Sequence, residues 1–188
     1  MTAFLSVSTE CPILIGIFEG FSWIRCEGKG SFLNSPTLKE FGIERIALGE
    51  SCLVVDLEAC TGMDSTFMGT LAGIATRLSA QQGGVVQIAD AGARNRRSLE
   101  DLGLDFLLEI DPAEAVWQEN IASTRASLKP PQPLASPDQI KQTMNVLEAH
   151  RTLSETNEKN TRAFSNVVTL LEAELAEKQK LTDTPEKN

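Results

Sequence analysis

Tyrosine is absent from this sequence of 188 residues and histidine occurs once, as His150. A lone imidazole with no serine or cysteine motif beside it gives general-base chemistry little to work with, and His150 reads as a surface residue in the polar part of a helical stretch. There is no GxSxG, no phosphate-cradling GxxxxGK[ST] and no metal-ligand spacing of His, Cys and carboxylates, so neither an enzyme activity, a cofactor nor a metal site is expected. Cysteine is sparse and unpaired in pattern. Cys11, Cys26, Cys52 and Cys60 form no CxxC, and Cys26 and Cys52 lie in apolar strand-like runs, which points to reduced thiols and a cytoplasmic protein. Long apolar runs are also missing. Ile13 to Phe18 is far too short to span a bilayer and no basic stretch precedes it, so neither membrane insertion nor secretion is expected. Positive charge is scarce: Lys and Arg number 17 against 26 Asp and Glu, for a net charge of −9. With no segment that interleaves basic and aromatic residues, nucleic acid is not an expected partner. Arg94, Arg96 and Arg97 form the tight basic cluster of the chain; a solvated helix start is the plain reading, an anion or an acidic partner surface the functional one.

What is present is organised around Cys52 to Ala80. Cys52 to Leu57 is short and β-branched enough for a buried strand, whereas Met68, Leu71, Ala72, Ala75 and Leu78 return at helical spacing, giving strand, short loop and helix. Asp64 is the N-cap. Ser65 and Thr66 then fall in the first turn, where backbone N–H groups are unpaired and the helix dipole is positive, so a phosphate on either hydroxyl is electrostatically cheap.

In chain order, Ile13 to Phe18 and Phe21 to Glu27 read as a hairpin, the second strand with one solvated face. Asn34 or Ser35 caps a helix with Pro36 in its first turn and Leu38, Phe41 and Ile46 on its buried side, with Gly42 bending or ending it early. Val85 to Ala89 is an interior strand, so strand, helix, strand makes a parallel crossover. Arg94 to Leu102 is a short helix, Phe106 to Ile110 an edge strand, and Asp111-Pro112 opens a further helix through Ala115, Val116 and Ile121. The fold class is α/β: a mixed, mostly parallel sheet with helices packed on it.

Three places carry a resemblance. Val55-Asp56-Leu57 followed by Asp64-Ser65-Thr66 and Gly69, the stretch Gly30, Phe32, Asn34 and Pro36, and Leu102-Gly103-Leu104-Asp105-Phe106 together resemble the STAS domain family, named after sulfate transporters and anti-sigma-factor antagonists. The likeness spans roughly residues 11 to 122. It implies a bacterial partner-switching protein that binds an anti-sigma factor of the serine-kinase type when unphosphorylated and is released by phosphorylation. By position the phosphorylated residue is Ser65, with Thr66 the alternative, and a PPM-type phosphatase resets the switch. Asp56, Met63, Asp64, Ser65, Thr66, Phe67 and Met68 would form the partner-binding surface, with Met63 and Phe67 as exposed apolar anchors and Asp56 engaged in loop hydrogen bonds. Phe67 departs from the family pattern, which has Gly or Ala there, and Met68 stands where Leu or Ile is common. That departure leaves room for a constitutive STAS subunit or scaffold in a transport or signalling assembly, without phosphorylation. A small-ligand pocket around Asp56, Asp64 and Arg94 is a third reading.

The last third changes character. The expected division is a STAS-like domain over 1–122, a Pro-rich linker over 123–136, a helical extension over 137–180 and a disordered tail over 181–188. Ser136 is the expected cap of the first added helix, with Pro137 behind it, and Asn157 or Asn160 the cap of the second. The pair folds back on the domain, joins a second copy as a homodimer or grips another protein, local packing being the usual fate of amphipathic helices.

Overall fold

A computed structural model describes residues 13–135 and 138–182. Its main sheet contains β1 (Ile13–Phe18), β2 (Phe21–Cys26), β4 (Cys52–Asp56), β6 (Val85–Ala89) and β7 (Leu108–Ile110) in the order β1-β2-β4-β6-β7. β1 runs antiparallel to β2 through a turn at Gly20, whose φ of 84° suits glycine, and every other pairing is parallel. The mixed, mostly parallel sheet is therefore the one the apolar patterning predicts. A second sheet, unforeseen, joins β3 (Gly28–Gly30) to β5 (Cys60–Met63) in parallel. The stretch ahead of the central helix is thus not a plain loop. Its two strands are too short and too glycine-rich to signal themselves by periodicity.

The helices are α1 (Ser35–Ala47), α2 (Ser65–Ser79), α3 (Gly92–Asp101), α4 (Ile121–Ser127), α5 (Gln139–Thr156) and α6 (Glu158–Thr182). Gly42 does not end α1. A Cβ there would stand 2.9 Å from Ile74 of α2, so the glycine lets the two helices approach while α1 continues to Ala47. Asn34 is the N-cap residue, yet its side chain braces the preceding turn instead, accepting from Ser31 N and donating to Lys29 O.

One core layer lies between the sheet and α1, α2 and α3, built from Leu53, Val55, Ile88, Leu71, Leu78 and Leu99 among others. β2 has no solvated face: Ile24 enters that layer, while Phe21 and Trp23 join Val54, Ala89 and Trp117 on the other side. Trp117 covers it. The segment after Asp111 is not helical as far as Trp117, because it must cross the sheet; Asp111 sits at φ 49° and helix resumes as α4. Leu104–Phe106 is a 3-10 turn, and the edge strand is shorter than expected, beginning at Leu108.

The boundary expected at residue 122 falls inside α4, which continues to Ser127 because Arg125 is anchored to Asp56. Lys129 then pairs with Ile15 of β1 by two backbone bonds, so the middle of the expected linker is tied to the sheet edge. Ser136, Pro137 and the tail from residue 183 lie outside the described residues, as does Cys11. The cap seen on α5 is Asp138, accepting from Lys141 N. Between α5 and α6, Asn157 supplies the cap: its Oδ1 accepts from Asn160 N. The helical pair folds back, α5 lying between α2 and α6.

Candidate functional site

The crossover from β4 to α2 places Asp64 and Ser65 at the start of a buried helix. Asp64 has the extended backbone of an N-cap and its carboxylate is divided between two donors, Phe67 N at 2.8 Å and Phe32 N at 2.9 Å. The second bond ties the helix start to the loop before α1, which fixes the position of Ser65 as well as capping the helix. Ser65 is the first helical residue and half-buried, and its hydroxyl faces the imidazole of His150 at 3.0 Å from Nε2. His150 is therefore no surface residue. It is 6% exposed and stacks edge-on against Phe164 of α6, 5.5 Å between ring centres. Nothing in local sequence signals this contact, since the two residues stand 85 positions apart.

The remaining residues of the expected surface divide sharply. Met63, Asp64 and Ser65 are half-buried, whereas Asp56, Thr66, Phe67 and Met68 are buried. Phe67 is no exposed anchor. Its ring is wholly covered and lies under β3, where a Cβ on Gly30 would come within 2.9 Å of it. The large residue in place of Gly or Ala is thus accommodated by a glycine in the facing strand, and it neither blocks nor shapes the outer surface. Thr66 uses its carbonyl to accept from the Thr70 hydroxyl and is buried, so in this conformation the hydroxyl near the surface is that of Ser65.

Asp56 holds a different station. At the end of β4 and fully buried, it accepts from Arg25 Nη1 (2.8 Å), from Arg125 Nε (2.7 Å) and Nη2 (2.8 Å), from Glu58 N (3.1 Å) and from Trp23 Nε1 (3.3 Å). Burial pushes its acidity down, but the hydrogen bonds from Arg125 and Arg25 and from the Glu58 amide outweigh burial and hold its pKa below the ordinary carboxylate range. A carboxylate so saturated offers nothing to a partner or a ligand, and its bonds go well beyond its own loop. Asp64 has other partners, so the two carboxylates form no shared site. Arg94 lies over Gly62, its guanidinium carbon 3.5 Å from where a Cβ would stand, and Arg96 pairs with Asp111 at 2.7 Å and Glu100 at 3.7 Å. The expected ligand pocket around Asp56, Asp64 and Arg94 is therefore not formed. Among the described residues no group of His, Cys and carboxylates is placed to hold a metal, and no helix is long and apolar enough to cross a membrane.

The outer flank of α2 is covered by α5. Gly69 meets the Ala149 carbonyl so closely that a Cβ would collide with it, and Gly73 faces Thr152 Oγ1 at 3.8 Å. Glu148 bonds both Lys39 of α1 and Arg77 of α2, and these cations hold its carboxyl, itself partly buried, below the ordinary range. Asn157 and Asn160 both donate to the Leu102 carbonyl just after α3.

The fold has similarities among solved structures. An anti-sigma factor antagonist from Mycobacterium paratuberculosis is 23% identical over 60% of this chain and 92% of its own, with a TM-score of 0.47. The Bacillus cell fate determinant SpoIIAA in its phosphorylated form is 18% identical over 60% of this chain and 99% of its own, with a TM-score of 0.47. The anti-sigma factor antagonist SpoIIAA in its unphosphorylated form is 18% identical over 60% of this chain and 96% of its own, at 0.45. No curated protein sequence matches the chain. The family model of the STAS domain matches residues 14–116, more than half of the sequence, from within β1 to the residue before Trp117. On that match the chain belongs to the STAS domain family.

Proposed function

We propose that this protein is an anti-sigma-factor antagonist-like partner-switching protein, which binds an anti-sigma factor of the serine-kinase type when unphosphorylated and is released when Ser65 is phosphorylated. The observation that carries this reading is the placement of Ser65. It is the first residue of α2, held by the doubly bonded Asp64 cap, half-buried, and hydrogen-bonded through its hydroxyl to one side chain, His150. A phosphate there meets the positive end of the helix dipole, so it leaves α2 intact. What it alters is the rim: about −1.5 to −2 of added charge beside Asp64 repels and desolvates a docked surface. Met63, Asp64 and Ser65 form that rim. Thr66 is the less accessible acceptor. A PPM-type phosphatase would close the cycle, in a cytoplasmic and bacterial setting.

The constitutive alternative, a STAS subunit or scaffold without phosphorylation, is favoured by one observation: the Ser65 hydroxyl already has a structural partner in His150. Peptide mass spectrometry of the protein purified from its own host under phosphatase inhibition separates the two. A fractional phosphate on Ser65 supports the switch. Its absence across growth and stress conditions leaves the scaffold.

A further inference from the structure

The hairpin of α5 and α6 sits over the same end of α2 that presents Ser65, and the contact is built at backbone distance. Ala149, whose carbonyl meets Gly69, is the neighbour in sequence of His150, which meets Ser65. The tautomer of that imidazole follows from its surroundings. Nδ1 lies 2.8 Å from the Val146 carbonyl, which can only accept, so Nδ1 carries a proton and, in the neutral ring, Nε2 is the acceptor. Ser65 is then the donor. Phosphorylation would remove that donor and set a phosphate's bulk and its accepting oxygens where the Ser65 and His150 side chains now stand 3.0 Å apart. The imidazole is wedged against Phe164 and the helix behind it is pressed on Gly69, so room for a phosphate comes from lifting α5 rather than from a side-chain adjustment.

We propose that the α5–α6 hairpin is an intramolecular lid over Ser65 and the outer flank of α2, and that a docked lid and a phosphate on Ser65 exclude one another. The phosphate half of this rests on the reading of Ser65 given above; the lid half does not. Coupling of this kind is reciprocal. A lidded chain is protected from modification at Ser65, and a modified chain uncovers the flank around Gly69 and Gly73.

Two measurements on the full chain test the proposal. In the first, Ser65→Cys is alkylated with N-ethylmaleimide, with and without Ala149→Arg, which sets a long cation against Gly69. Peptide mass spectrometry reads position 65, and the buried thiols Cys26 and Cys60 report that the sheet domain stays folded. The lid predicts at least tenfold faster alkylation at position 65 when Ala149→Arg is present, with Cys26 and Cys60 still protected. Equal rates overturn it. Should Ala149→Arg expose Cys26 and Cys60 too, the pair Asn157→Ala and Asn160→Ala, which frees the hairpin from the Leu102 carbonyl, replaces it with the same expectation. In the second, phosphoserine is incorporated at position 65 during synthesis and amide hydrogen exchange is followed over Gln139–Thr156. Exclusion predicts at least tenfold faster exchange than in the unmodified chain. Unchanged or slower exchange means that α5 stays docked over the phosphate, and that sinks the exclusion. The two readings fail separately: lack of phosphate on Ser65 in cells removes the switch and leaves the alkylation result, whereas equal alkylation removes the lid and leaves the switch.

Discussion

Two layers press on α2, and they are made differently. From the sheet side come Leu53, Val55 and Ile88, each no more than 1% exposed, meeting Phe67, Leu71 and Leu78 in a continuous apolar layer. From the hairpin side the contact is made by Ala149 on Gly69, by His150 on Ser65, and by Glu148 bridging Lys39 and Arg77, with Leu153 in the main core and Phe164 packed against it. Large side chains that interdigitate resist separation, because each leaves a cavity when it withdraws. Small residues and polar bonds allow close approach but bury less apolar area, and water can replace the polar partners. One face of α2 is core, and the other is a close seal of small residues and polar contacts, the one that the lid proposal requires to open.

The comparison can be broken most forcefully on the sheet side. Phe67→Ala empties the space beneath Gly30 and should lower stability by about 3–5 kcal/mol in urea unfolding. A loss below about 1 kcal/mol would mean that the ring is not the filler it resembles. Next in size is Asp56→Asn, which leaves Arg25 and Arg125 around an uncharged amide and should cost about 3 kcal/mol. The same carboxylate sets an acid limit. Because its folded pKa is depressed, the stability it contributes is fully present above its unfolded pKa of about 4 and is lost as pH falls through the still lower folded value. Unfolding of the parent chain should therefore steepen below about pH 4 more than that of Asp56→Asn, as thermal melts over an acid series would register.

On the hairpin side the effects should be smaller and local. Ala149→Arg overpacks the Gly69 contact by about 1–3 kcal/mol, and limited proteolysis should then cut within α5 and α6 while residues of the sheet persist. Simultaneous loss of both regions would erase the distinction drawn between the layers. His150→Ala removes two hydrogen bonds and the edge contact with Phe164 and should cost about 2 kcal/mol, read as faster amide exchange in α5 without a change in β4 or β6. Glu148→Gln should be smallest, about 0.5 kcal/mol, since half-exposed ion pairs are screened, and the difference should shrink as salt is added.

Some of the candidate site was legible beforehand because its signals are local. Asp64 as cap, Ser65 in the first turn and β4 ahead of them follow from residue type and spacing within one stretch. The burial of Phe67 escapes such signals for a reason equally plain. Helical spacing says which residues share a face, but the depth of a face depends on what lies opposite, and Gly30 belongs to a different strand. Asp56 was placed in its loop, yet its strongest partners, Arg25 and Arg125, lie 31 and 69 positions away.

By itself, then, the sequence determined the parallel crossover, the cap and the hydroxyl in the first turn of its helix, the acidic character of the chain, and the presence of two further helices, since propensity, periodicity and charge act over a few residues. Tertiary structure alone decided that β3 and β5 pair, that the large ring at position 67 turns inward, and that the lone histidine meets Ser65. Each of these joins groups far apart in the chain, and whether they meet is settled by packing, in which glycines at positions 30, 42 and 69 permit approaches that no local pattern announces.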